Sequence, residues 1–118
     1  MLEFFCDYKL KYDMETILQL DYSNLLSDEH YFCIKVNEVI FFEQPLFPIL
    51  EFLYHYLRWD RKHDFIYNTI ESQENPILEF RRGLLGWKID SVWKKFDCKI
   101  RFDVDDFVNA VNKMINSF

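Results

Sequence analysis

The side chains best suited to chemistry lie close together near the middle of the chain: His55, Asp60, His63 and Asp64. Imidazoles and carboxylates in this pattern suit a metal ion, or general acid–base catalysis of the nuclease type. The spacing argues against both. Paired ligands on one helix stand about four residues apart, whereas His55 and His63 stand eight apart. The polar end of a helix accounts for all four. Ser91 follows Asp90 without the residues of a nucleophile elbow. Two glycines, Gly83 and Gly86, are too few for a phosphate-cradling loop. The acid pairs Asp28-Glu29 and Asp105-Asp106 are neighbours in sequence rather than facing groups, and the second pair suits a helix N-terminus. Cys6, Cys33 and Cys98 are isolated and odd in number, without zinc spacing. They read as reduced thiols acting as small apolar residues. These residues form no recognisable catalytic set, and they call for no metal and no cofactor.

Arg81, Arg82, Lys88, Lys94, Lys95, Lys99 and Arg101 are interleaved with Trp87, Trp93 and Phe96. Such interleaving can bind single-stranded nucleic acid. Here the aromatics alternate away from the bases and toward a core, so the bases read as a solvated face. The overall charge agrees. The chain carries −6, and the sign is uneven: Met1 to Glu51 has ten acids against three bases, and Phe52 to Phe118 has ten against eleven. An acidic first half disfavours a phosphate backbone and favours a basic partner.

The elements that must position these groups follow from patterning. With 118 residues, half of them hydrophobic and 19% aromatic, the chain reads as a single domain over 1–118 that folds without disulfide or metal. Leu2, Phe4, Cys6, Tyr8, Leu10 and Tyr12 alternate with polar residues and predict a first strand. Thr16, Leu18, Leu20 and Tyr22 predict a second. Tyr31–Val36, apolar on both faces, predicts a central strand, and Asn37-Glu38 a tight turn into Val39–Phe42. Pro45 and Pro48 mark the start of a helix running to about Trp59. Asp64–Ile70 is β-rich. Pro76–Trp93 predicts a hairpin whose turn is bracketed by the two glycines, with Leu84-Leu85 at its tip. Lys99–Phe102 predicts a last short strand. Asp103 N-caps a helix through Phe118, with Asp106 completing a near capping box. The fold class is α+β, in the order β-β-β-β-α-β-β-β-β-α: a mostly antiparallel meander with two helices packed on one face.

Ile77-Leu-Glu-Phe, a short turn, Gly86-Trp-Lys-Ile-Asp-Ser-Val-Trp93 and the helix Asp103-Val-Asp-Asp-Phe-Val-Asn-Ala-Val111 resemble a pattern of small bacterial immunity proteins, which accompany polymorphic and contact-delivered toxins. The Val39–Trp59 block fits as well. The resemblance covers the C-terminal two-thirds, and the first strands match only in general character. It implies a non-enzymatic protein that binds the C-terminal domain of a cognate toxin, commonly a nuclease, and blocks its active site. It transfers no contact residue, because immunity surfaces vary with their toxins.

Contact candidates therefore come from exposure and charge. They are the loop acids Asp21, Asp28, Glu29, Glu38, Glu71 and Glu74, with Tyr22 and Trp59 as aromatic anchors. The alternative function is a small ligand-binding domain or enzyme with an aromatic-lined pocket, marked by His55 and Asp60, or a structural domain. Neither reading calls for nucleic acid or a membrane. The expected setting is the cytoplasm, since no signal peptide and no spanning apolar run is visible. The expected state is a monomer or weak homodimer.

Overall fold

The computed structural model describes residues 1–9 and 11–118. The elements run β1 (Leu2–Cys6), α1 (Met14–Ile17), α2 (Tyr22–Leu25), β2 (His30–Val36), β3 (Val39–Phe47), α3 (Ile49–Arg58), β4 (Phe65–Tyr67), β5 (Leu78–Arg81), β6 (Lys88–Asp90) and α4 (Val104–Asn116). The class is α+β. The single meander expected from patterning is instead two three-stranded antiparallel sheets, β1-β2-β3 and β4-β5-β6. Among the described residues four helices replace the expected two. No helix of the described residues is long and apolar enough to cross a membrane.

The first strand is shorter than its alternation suggests. Tyr8 is buried, and its hydroxyl accepts the amides of Lys11 and Tyr12 at 3.0 and 3.3 Å. Leu10, assigned to that strand from the sequence, lies outside the described residues. The predicted strand over Thr16–Tyr22 is two single-turn helices. Asp13 accepts the Thr16 amide at 2.8 Å and Asp21 accepts the Asn24 amide at 3.0 Å. These aspartate caps satisfy helix-starting N–H groups, and local capping overrides a short period-2 pattern.

β2 is central, as its two apolar faces require. Opposite it, β3 runs through Pro45 to Phe47, so the helix starts later, at Ile49. Two register shifts accommodate this. One leaves Phe41 as an extra residue, so Phe41 and Phe42 are both buried in succession. The other brackets Pro45, which a regular ladder would reject.

The Asn37-Glu38 turn has φ of 49° and 70°, the mirror-image turn that matches strand twist. The Met1 ammonium donates to the Asn37 side chain. Glutamate is a poor occupant of a left-handed position, so Glu38→Gly is expected to stabilise the fold by about 0.5–1 kcal/mol. Urea melts check this, and an unchanged or lowered midpoint would mean that Glu38 makes a compensating contact.

The Pro76–Trp93 hairpin forms as expected, with β5 paired to β6 and Leu84 and Leu85 fully exposed at its tip. The predicted strand Lys99–Phe102 is reduced to one bridge between Trp87 and Phe102. In α4, Asp103 and Asp106 form the full capping box. One aromatic core joins both sheets through α3. Phe52 touches Phe4, Phe32 and Phe47 of the first sheet and Phe65 and Tyr67 of the second, with centroids 5.7–6.3 Å away. The three cysteines are free and buried, and burial pushes the Cys6 thiol up to about 12.

Candidate functional site

Two acids that the sequence separates by some forty residues meet at one end of the molecule. Glu29 immediately precedes β2, whose first residue, His30, pairs with Phe47 at the end of β3. Phe47 and Pro48 in turn border the loop that leaves β4 and carries Glu71. The Glu71 carboxyl is held above its ordinary value, first by partial desolvation and then by the negative charges of Glu29 and Glu51. Glu51 lies beneath, fully buried on α3, where its Oε1 accepts the Tyr67 hydroxyl at 2.6 Å. Its Oε2 has no hydrogen-bond partner among the described residues. Burial and this carboxylate both push the Tyr67 phenol up.

The loop presenting Glu71 is tied down by Asn75. The Asn75 amide donates to the carbonyls of Thr69 and Ser72 at 3.1 and 2.8 Å, and its Oδ1 accepts the Thr69 amide at 3.0 Å. Trp93 Nε1 donates to Glu74 Oε2 at 3.0 Å, which fixes the loop's far side. A slot of about 170 Å³ opens between Phe47, Pro48, Tyr67, Thr69 and Trp93, with Glu71 and Leu46 at its mouth. Small-molecule sites run to about 300–1,000 Å³, so this slot suits one side chain. Leu46 and Ile70 are 66% and 71% exposed beside it.

The other candidates make contacts of their own. Asp21 caps α2, where the Asn24 amide and the Ser23 hydroxyl lower its pKa, and Tyr22 beside it is exposed. Asp28 is half-buried, with Lys11 Nζ at 3.9 Å. Glu38 stands at the turn end of the β2–β3 hairpin, roughly 25 Å from Glu29 at the strand rise of about 3.4 Å per residue. Trp59 is half-buried against Phe65, Phe80, Trp87 and Phe107, and its Nε1 donates to the His63 carbonyl at 2.6 Å.

The four residues first singled out for chemistry diverge. Asp60 accepts the amides of Lys62 and His63 and holds the His63 ring at 2.5 Å. Asp64 takes the Arg82 amide and the Arg81 guanidinium. His55 lies against the Tyr54 and Tyr67 rings, and burial lowers its pKa. No three His, Cys, Asp or Glu side chains converge to hold a metal among the described residues.

Charge is partitioned. In the basic cluster, Arg81 pairs with Glu79 and Asp64, Lys88 and Lys99 with Asp97, Lys94 with Asp90, and Lys95 with Glu43. Arg82 lies over the Trp87 ring. By contrast Asp21, Glu29, Glu38, Glu71 and Glu74 have no ion-pair partner among the described residues, so much of the net charge stands on loops.

Residue-by-residue reading missed Glu51, Tyr67, Leu46, Ile70 and the part played by Trp93. Glu51 alone left a signal, as an acid within the apolar face Ile49–Leu53.

Glu71→Gln provides a test of the cluster. In the folded chain the Glu71 pKa lies above 4.5. The protonated form is therefore the better tolerated one, and its stabilising effect is lost as pH rises through the folded pKa. The glutamine variant should thus melt higher than the native chain at pH 7, with the gap closing toward pH 4. A gap of the same size at both pH values would contradict the placement beside Glu29 and Glu51.

A family model described as Domain of unknown function (DUF7878) matches residues 6–118. No curated protein and no solved structure matches the chain.

Proposed function

The chain belongs to the DUF7878 family, and we propose that it is a non-enzymatic cytoplasmic immunity protein. It binds the C-terminal domain of a cognate bacterial toxin, a nuclease with a basic substrate cleft, and blocks that cleft. One observation carries this reading: the bases of the hairpin face are largely neutralised within the chain, while the acids around Glu29 and Glu71 are not.

Carboxylates already crowded together lose mutual repulsion when a cation arrives between them, so an arginine or lysine is the partner group they favour. Such a side chain fits the slot, with its stem against Phe47 and Trp93 and its charge at Glu71. The Asn75 hydrogen bonds pre-order the loop, which lowers the entropy cost of binding. Unpaired surface acids also steer a basic partner into encounter. A toxin arginine held in this way is no longer free to bind a phosphate.

The alternative, a domain built around an aromatic-lined ligand pocket, has less support. The surplus rings pack on one another through Phe52 and Phe107 rather than lining a void.

Co-expression with the product of the adjacent upstream gene tests the proposal. The expected result is a one-to-one complex and relief of growth arrest. A neighbouring product that is not toxic, or that is toxic and does not co-purify, would overturn the reading.

A further inference from the structure

The free edge of β1 and the bridge segment before α4 face each other across a groove of about 620 Å³. The Met1 carbonyl accepts the Asn37 amide at 2.8 Å and the Asp7 amide donates to the Tyr31 carbonyl at 3.2 Å. Odd-numbered residues of β1 therefore turn their backbone groups toward β2. Antiparallel alternation aims the N–H and C=O of Leu2 and Phe4 the other way, into the groove. On the opposite wall Trp87 and Phe102 exchange both of their backbone hydrogen bonds, at 2.8 and 2.9 Å. Arg101, one residue earlier, has no backbone hydrogen bond among the described residues and also lines the groove.

Unpaired peptide groups on two facing walls call for a third backbone between them. From this we infer that the groove takes an extended peptide segment of a partner protein as an added strand, a surface separate from the acidic end. The dimensions fit a short segment. At a rise of about 3.3 Å, a strand spacing of about 4.8 Å and a depth of about 10 Å, one extended residue fills roughly 160 Å³, so about four fit. Alternate side chains of that segment face Ala110 and Met114 of α4 and are apolar and modest in size. Arg101 and Lys113 stand at the rim, exposed and without an ion-pair partner among the described residues, and the acids Glu3 and Asp106 line the groove as well, so the segment carries an acidic residue beside the two bases. A second copy of the chain is disfavoured as occupant, because its own β1 edge is walled by its own residues 100–102. Strand addition of this kind draws affinity from main-chain hydrogen bonds and specificity from alternate side chains.

A random linear heptapeptide library displayed on phage, panned against the intact protein, tests the inference. Enriched peptides should alternate apolar residues and carry an acid, and they should slow amide exchange at Leu2, Phe4 and Arg101 at least tenfold. Asn109→Trp, at an exposed position on the groove rim, should weaken them at least tenfold while keeping the native melting temperature. Charge reversal at Glu29 and Glu71 should leave them unaffected, which separates this surface from the acidic end. Four results would overturn the inference: no enrichment, helical spacing in the selected peptides, undiminished binding by the tryptophan variant, or a native dimer that this variant dissolves.

Discussion

Phe52→Ala is expected to lower the stability of the fold by about 3–5 kcal/mol, the range for emptying a large buried ring site. The total available to a domain of this size is about 5–15 kcal/mol, so the variant should be partly unfolded in mild urea. The size of the effect follows from position. Phe52 is fully buried on α3, with Phe4, Phe32 and Phe47 of one sheet on one side and Phe65 and Tyr67 of the other sheet opposite. Few backbone hydrogen bonds join the two sheets, and Lys95 N–H to the Phe41 carbonyl at 2.8 Å attaches only the segment after β6 to β3. The sheets therefore adhere mainly through rings, and removing the central ring weakens both halves at once. Phe5→Ala, on a ring 51% exposed, is the comparison and should be close to neutral. Urea unfolding followed by tryptophan fluorescence measures both. A loss below about 1.5 kcal/mol for Phe52→Ala would mean that the core collapses readily around the gap.

The second large effect is on binding. Glu29→Lys combined with Glu71→Lys is expected to weaken the proposed toxin complex by roughly 10²–10⁴-fold, since two charge-assisted hydrogen bonds at about 1.5–3 kcal/mol each are lost. The fold should tolerate the change, because Glu29 and Glu71 are both exposed and lie on connecting loops. Glu15→Lys changes net charge as much as either single reversal but lies on α1, outside the cluster. It should slow association slightly without shortening the lifetime of the complex. Equal losses for Glu15→Lys and Glu71→Lys, measured by surface plasmon resonance at two salt concentrations, would reduce the acidic end to a long-range field and remove the slot from the reading.

What the sequence made legible is instructive in its unevenness. The β5–β6 hairpin and α4 could be read because their signals are local and agree with one another: alternation and turn glycines in the first, a capping box with helical apolar spacing in the second. The stretch Thr16–Tyr22 misled because its alternation was real but short, while Asp13 and Asp21 each offered a cap. A period-2 pattern over seven residues carries less weight than two satisfied helix starts. The division into two sheets left no mark in any single segment, because it depends on which edges meet. The acids of the candidate site were visible as charges, but their convergence was not. It depends on the His30–Phe47 pairing, which brings the start of β2 to the end of β3. Glu51 was hidden for a different reason: an acid on an apolar helix face looks like an interruption until Tyr67 is seen to donate to it.

The division between paired and unpaired charge has a consequence for how such a chain changes over generations. Glu79, Asp90 and Glu43 sit on strands and hold lysines and an arginine in place, so replacing them disturbs the scaffold. Glu29 and Glu71 sit in connecting loops and hold no base, so replacing them acts mainly on whom the molecule attracts. Recognition here is free to drift at little risk to folding, and a descendant could exchange one adversary for another by substitutions that its core never registers.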